Sequence, residues 1–237
     1  MIAYHGTPIW PVEAAVKVLC GRHAFVSFAH ADQLDIVRYQ CSSFALDNGA
    51  FSHWKKGTPI KDWSSYYEWA GGLADLPSCE FAVIPDVIDG TERDNDRLIE
   101  QWPLSRFFGV PVWHMHERPD RLIQLVNQWP RVAIGSSGEY QMPGSKLWWA
   151  RMDQAMRVAC DDRGAPRAKI HGLRMLSSKL VRHLPFSSAD STNIAANIGI
   201  DSKWRGTYQP MTKIGRALCM ADRIESVYPP ERWKGRY

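Results

Sequence analysis

Short apolar runs rich in β-branched and aromatic residues alternate along the chain with longer stretches whose apolar positions recur every three or four residues. The first pattern predicts strands at Ile2–His5, Ala24–His30, Phe44–Phe51, Phe81–Val87, Val110–Glu117, Arg131–Ser137, Lys169–Met175 and Phe186–Thr192. The second predicts helices near Pro11–Leu19, Gln33–Gln40, Asp62–Ala74, Glu92–Trp102, Arg118–Trp129, Trp148–Cys160, Ser178–Leu184 and Met211–Val227. Several of these helices open with Pro, Asp or Ser, which suit a first turn whose N–H groups have no partner inside the helix. Eight strand-then-helix units in 237 residues, with no low-complexity linker and no detectable repeat, predict one domain over residues 1–237 folded as a (β/α)8 barrel. A doubly wound open sheet is the rival, but no Gly-x-Gly-x-x-Gly follows the first strand.

In such a barrel the loops that follow the strands form a single mouth, and chemistry gathers there. His5, His30, Asp47, Asp86, His114, His116, Ser136, Ser137, His171 and Asp190 all fall at or near predicted strand C-termini. Three of them are aspartates that close apolar runs: Asp47 in Phe44–Phe51, Asp86 after Phe81–Pro85, and Asp190 in Pro185–Thr192. A carboxylate ending a buried strand is costly unless it is hydrogen-bonded or put to use. Any one of them can be an ordinary cap of the next turn or helix; three together mark a site.

Composition narrows the class. With 45% hydrophobic and 11% aromatic residues, the chain can fill one large core. Its five cysteines form no Cys-x-Cys or Cys-x-x-Cys pair, so neither a disulfide framework nor a structural zinc site is expected, and the thiols are expected reduced. Met1–Gly6 carries no basic segment and no apolar stretch approaches the ~20 residues of a membrane span. A soluble, cytoplasmic protein without a membrane partner is expected. The net charge is +4, and residues 203–237, the last helix and tail, hold eight Lys or Arg against three Asp or Glu. Lys203-Trp204-Arg205 and the run Arg232 to Tyr237 mix cations with aromatics, as phosphate-contacting and base-stacking surfaces do, although basic tails are as often plain solvated surface.

Three segments carry a resemblance. Asp47-Asn48-Gly49-Ala50-Phe51 resembles the Asp-Ser-Gly-Gly-Phe segment of tRNA-guanine transglycosylases. Ile134-Gly135-Ser136-Ser137-Gly138-Glu139 is similar to their Gly-Gly-Leu-Ala-Val-Gly-Glu loop, one residue shorter. Phe186-Ser187-Ser188-Ala189-Asp190 resembles the late strand that ends in the nucleophilic aspartate. The likeness runs from about Phe44 to Thr192 and keeps the order along the barrel. It implies a (β/α)8 barrel that replaces a guanine in nucleic acid by a 7-deazaguanine. The chain lacks that family's Cys-x-Cys-x-x-Cys zinc subdomain and its appended RNA-binding domain. It resembles more closely the small zinc-free DNA-guanine transglycosylases of phages and bacteria. DNA and a free 7-deazaguanine are then the expected partners, with no further cofactor, and the oligomeric state, a homodimer included, stays open.

The resemblance implies roles. Base exchange at a glycosidic carbon passes through an oxocarbenium-like state served by one carboxylate as nucleophile and another that moves protons. Asp190 is the expected nucleophile at C1′ and Asp47 the proton donor and acceptor, with Asn48 or a nearby backbone amide as its partner. Asp86 is expected to accept from a guanine-like edge, and Gly135, Ser136, Ser137 and Gly138 to offer backbone N–H groups to the base, an ordinary βα turn being the plain alternative. Asn48, Gly49, His114, His116 and His171 complete the expected base pocket. Phe51, Trp113 and Tyr140 are candidate aromatic walls for a flipped or single-stranded nucleotide, unless they are simply core. Lys55, Lys56, Arg174, Lys203 and Arg205 are candidate phosphate contacts.

Two other classes stay in view. The pair His114 and His116 on one strand, with His171 and Asp190, resembles the metal cage of barrel amidohydrolases. In that superfamily the His-x-His pair lies on the first strand, whereas here it lies on the fifth. The third class is a non-catalytic barrel that binds DNA through its tail; the presence of both Asp47 and Asp190 weighs against it.

Overall fold

The computed structural model describes residues 1–235. Nine strands form one parallel sheet: β1 (Ile2–Gly6), β2 (His23–Ser27), β3 (Ser43–Asp47), β4 (Cys79–Val83), β5 (Gly109–Val110), β6 (Val112–His114), β7 (Arg131–Gly135), β8 (Lys169–Gly172) and β9 (Ser188–Ser191). Their order is β5-β4-β3-β2-β1-β9-β8-β7-β6. The two edge strands are consecutive in the chain, with Pro111 alone between them. Gly109–Val110 pairs with Ala82–Val83, and Val112–His114 pairs with Ala133–Gly135. The sheet therefore returns on itself and is nearly closed into a barrel. The predicted fifth strand, Val110–Glu117, is this broken stretch. Proline has no N–H to give a ladder, and Pro111 contributes only its carbonyl, which accepts from Ala133 N–H at 2.9 Å.

Helices α1 (Val12–Leu19), α2 (Leu34–Gln40), α3 (Ala50–Lys55), α4 (Ser64–Gly71), α5 (Glu92–Glu100), α6 (Pro119–Gln128), α7 (Lys146–Ala159) and α8 (Ser178–Val181) connect the strands, and α9 (Asn193–Asn197) and α10 (Lys213–Glu225) follow the last one. Most predicted strands run too far at their C-terminal ends, where polar loop residues adjoin apolar ones. Phe44–Phe51 stops at Asp47, and α3, which the apolar pattern does not predict, starts at Ala50. The cause is local: Gly49 adopts φ 79°, which glycine alone enters freely, and Asn48 Oδ1 accepts from Ala50 N–H at 2.8 Å. Likewise Ala24–His30 ends at Ser27 and continues as a 3-10 turn over Phe28–His30.

Alternation along the strands sorts the core into two layers. Tyr4, Phe25, Ala45, Phe81, Val110, Val112 and Ala133 cluster inside the ring. Val26, Phe44, Leu46, Trp113, Ile134 and Ile170 face out and pack under the helices. Trp113 is fully buried there and donates to the Arg118 carbonyl at 3.1 Å, so it is core and forms no wall of a base pocket.

The C-terminal segment is part of the body. Helix α10 packs on α1 and β1; Glu225 lies 2.7 Å from His5 Nε2, and Arg22 pairs with Asp222 and Glu225. Trp204 and Trp233 are buried. Trp204 and Trp233 thus belong to the core and offer no stacking surface. Arg236 and Tyr237 lie outside the described residues. No helix among the described residues is long and apolar enough to cross a membrane.

Candidate active site

Asp47 ends β3 and Asp190 lies one residue before the end of β9, both on the inward face of the ring. Asp86 follows the end of β4. The three share one electrostatic neighbourhood. Burial pushes the Asp47 carboxyl up to about 7, and the charges of Asp190 and Asp86 add to the rise. Two donors oppose it: the Ser27 hydroxyl beside it, and the Gly49 N–H at 3.2 Å from Oδ2. A carboxyl at about 7 is protonated in an appreciable fraction of molecules at neutral pH, as a proton carrier must be.

Asp190 is held differently. Its Oδ1 accepts from the Arg174 N–H at 2.8 Å, and His171 Nε2 lies 3.3 Å from the same oxygen. Arg174 is the one non-glycine residue of the described chain with positive φ, 58°. That uncommon conformation aims its N–H at the carboxylate. His171 is wholly buried inside the ring; its Nδ1 is 2.8 Å from Ser188 Oγ, and its ring packs 5.2 Å from Phe25 and 5.3 Å from Phe81. Burial lowers its pKa, with Asp190 opposing. A neutral ring with its proton on Nε2, facing Asp190, and Nδ1 accepting from Ser188 satisfies both neighbours. His171 therefore sits beneath the carboxylate with no surface for a substrate, which corrects its expected place in the base pocket.

Asp86 and His114 form a second pair, Oδ2 to Nε2 2.8 Å, buried at the inward end of β6. Asn48 Nδ2 donates to Asp86 Oδ1 at 2.7 Å and to the Ile84 carbonyl at 2.9 Å. Asn48 thus stitches the ends of β3 and β4 together, and its amide is engaged within the protein. His116 lies past the strand end, exposed, with its ring stacked 5.7 Å from that of His114 and Nδ1 2.8 Å from Ser137 Oγ. Gly135 makes room for this arrangement, since a Cβ there would meet His114 Nδ1 at 3.2 Å. Ser136 turns away: its hydroxyl accepts from Trp148 Nε1 at 2.8 Å. Gly138, at φ 56°, lies under His116.

The rim candidates separate. Phe51 carries the Arg174 guanidinium 3.9 Å over its ring, which joins the β3 loop to the β8 loop across the mouth. Lys55 and Lys56 end the short helix after Asp47 and are exposed, as is Arg205. Lys203 lies in the 3-10 turn Asp201–Trp204, with its side chain outside the described atoms. Tyr140 is half-buried beside Arg151, whose guanidinium is 5.5 Å from its ring.

One layer of the site is not among the sequence candidates. Glu117 and Arg121 form a buried ion pair of 2.7 Å. Glu117 also accepts from His114 N–H at 2.9 Å and from Asn95 Nδ2 at 2.9 Å, while Asn95 Oδ1 accepts from Val87 N–H at 2.7 Å. This network fixes the strand end that carries His114 to the loop that carries Asp86. The spacing of Glu117 and Arg121, four apart at a helix start, is the one signal of it in the sequence.

His114 and His171 are thus each matched to an aspartate of their own, Asp86 and Asp190. Among the described residues no three His, Cys, Asp or Glu side chains converge as a metal-binding group. No family model matches the chain, and no curated protein matches it.

Proposed function

We propose that the protein is a DNA-guanine transglycosylase, a (β/α)8 barrel with Gly109–His114 counted as one broken strand, that exchanges guanine for a 7-deazaguanine. The observation that carries this reading is the unequal pair of carboxyls at one mouth: Asp47 pushed up to about 7, and Asp190 braced by a main-chain N–H and a buried imidazole. A carboxyl that carries a proton near neutral pH, beside a second one held by fixed donors, is what acid–base and nucleophilic steps at one sugar carbon need.

On this reading an Asp190 oxygen bonds to C1′ as the bond from C1′ to the guanine nitrogen breaks, and the Asp47 proton passes to the departing base. The entering base then displaces Asp190 with its ring nitrogen and returns a proton to Asp47. Atoms and charge balance, and two displacements retain the configuration at C1′. Arg174 N–H and His171 stabilise Asp190 when it leaves as an anion. On this reading the pair of Asp86 and His114 reads the base edge, with His116 farther out.

The test is incubation with guanine-containing DNA and 7-cyano-7-deazaguanine, digestion to nucleosides and mass spectrometry, with RNA in parallel. The modified deoxynucleoside is expected. Modification of RNA alone would move the substrate class, and no exchange in either would refute the reaction.

A further inference from the structure

The mouth poses an electrostatic problem for the substrate just proposed. The carboxylates of the mouth repel a polyanion, and the exposed Lys55 and Lys56 lie on its β3 side. A second cleft adjoins Asp190 on the opposite side, between the loops after β8 and β9 and helix α10, with a volume of about 750 Å³. It meets the site through two residues. Ser191 follows Asp190 on β9, and Arg174, whose N–H holds Asp190, forms part of the cleft wall.

Its lining is of one sign. Lys179 and Arg223 contribute the charge, with Arg174 at the edge nearest the mouth, where its guanidinium lies over Phe51, and Ser177, Ser178 and Ser191 bring hydroxyls. No aspartate or glutamate among the described residues lines it. Lys179 and Arg223 are exposed, and Arg223 is steadied by Trp204, 4.9 Å beneath its guanidinium. Ser191 Oγ accepts from Asn193 N–H at 2.9 Å, which leaves its own proton to donate outward. Cations and hydroxyls without carboxylates are the chemistry of phosphate oxygens. The volume lies in the range of sites for whole small molecules, too roomy for a lone phosphate ion.

The geometry points to this cleft as the track for the phosphodiester backbone of a nucleic-acid strand, holding the phosphates next to the nucleotide whose sugar reaches Asp190. The inference rests on the nucleic-acid reading of the mouth but not on the base-exchange chemistry.

The test separates the two. Fluorescence anisotropy with a labelled oligothymidylate, which offers no guanine, measures binding alone, for the intact protein and for Lys179→Ala, Arg223→Ala and the control Arg93→Ala on the outer face of α5. Each cleft variant is expected to weaken binding about three- to tenfold and to lower the slope of log affinity against log salt by roughly 0.7. The control is expected to change neither. Equal affinity and slope for both cleft variants and the intact protein would overturn the proposal. So would displacement of the oligonucleotide by millimolar inorganic phosphate, which would make the cleft a small-anion site. Intact protein that binds as expected but exchanges no guanine keeps the cleft and removes the chemistry; exchange with unaltered binding in both variants removes the cleft alone.

Discussion

The two ends of the barrel interior hold similar residues in opposite arrangements. At the end where the strands begin, Glu80 lies 2.9 Å from Ser43 Oγ, which lies 2.8 Å from His23 Nδ1; Arg131 stands 3.6 Å from the same carboxylate and 4.2 Å over the Phe81 ring. One acid there has a cation, a hydroxyl and an aromatic face around it. At the mouth, three acids share one rim with imidazoles and amides, and no Lys or Arg side chain of the described residues pairs with any of the three. The first arrangement neutralises its charge and plugs the ring. The second concentrates like charge, so that burial and repulsion drive Asp47 toward neutrality. Two polar clusters at opposite ends of one barrel can thus be told apart by their partners.

The comparison is broken or sharpened by substitution, beginning at the mouth. Asp190→Ala is expected to lower guanine exchange by about 10³-fold or more, because it removes the nucleophile. Labelled guanine washed out of DNA reads this, and retained exchange would remove Asp190 from the chemistry. Asp47→Asn is expected to cost about 10²- to 10⁴-fold in exchange and to erase the limb of the pH–rate profile near neutrality.

Asp47→Asn also makes a stability prediction of definite sign. The folded protein holds the Asp47 proton up to about 7 and the unfolded chain only to 3.8, so stability falls as pH rises through that window. The amide has no such loss. At pH 8 the variant is expected to be more stable, by roughly 1–4 kcal/mol, and near pH 4 to show no gain, as measured by urea unfolding. A variant less stable at both pH values would deny the strain on Asp47.

Glu117→Gln tests the network behind the mouth. Leaving Arg121 buried without its partner is expected to cost about 3 kcal/mol, read as a drop in Tm, and to slow exchange by loosening His114. At the far end, Glu80→Gln is expected to cost only about 1 kcal/mol and to leave exchange unchanged, since Ser43 keeps a hydrogen-bond acceptor and Arg131 keeps its aromatic face. A large loss of exchange from Glu80→Gln would erase the distinction between the two ends.

Much of the architecture was legible in the chain because period-two and period-3.6 patterns report burial directly. Every predicted strand has a counterpart, and Pro111, visible as a residue without an N–H, accounts for the ninth. The short helices α3 and α9 were not legible: five or six residues give no period, and α3 exists because of a turn at Asn48-Gly49. At the site, the three aspartates stood out as carboxylates closing apolar runs. Their roles as partners did not. That His171 lies below Asp190 rather than beside a base depends on strand register, since His171 pairs opposite Ser188. The service of Arg174 through its main chain depends on a backbone dihedral that no side-chain pattern encodes. The tail's tryptophans carry no signal of their own: beside cations they look alike whether they stack on a base or fill a core, and Trp204 and Trp233 fill the core.

The most direct measurement is intact-protein mass spectrometry of the protein quenched in denaturant after mixing with guanine-containing DNA, followed by mapping of the modified peptide. The account predicts a DNA adduct on Asp190 that is discharged by free 7-cyano-7-deazaguanine and does not form in Asp190→Asn. An adduct on another residue, or turnover that proceeds unchanged in Asp190→Asn, would contradict it.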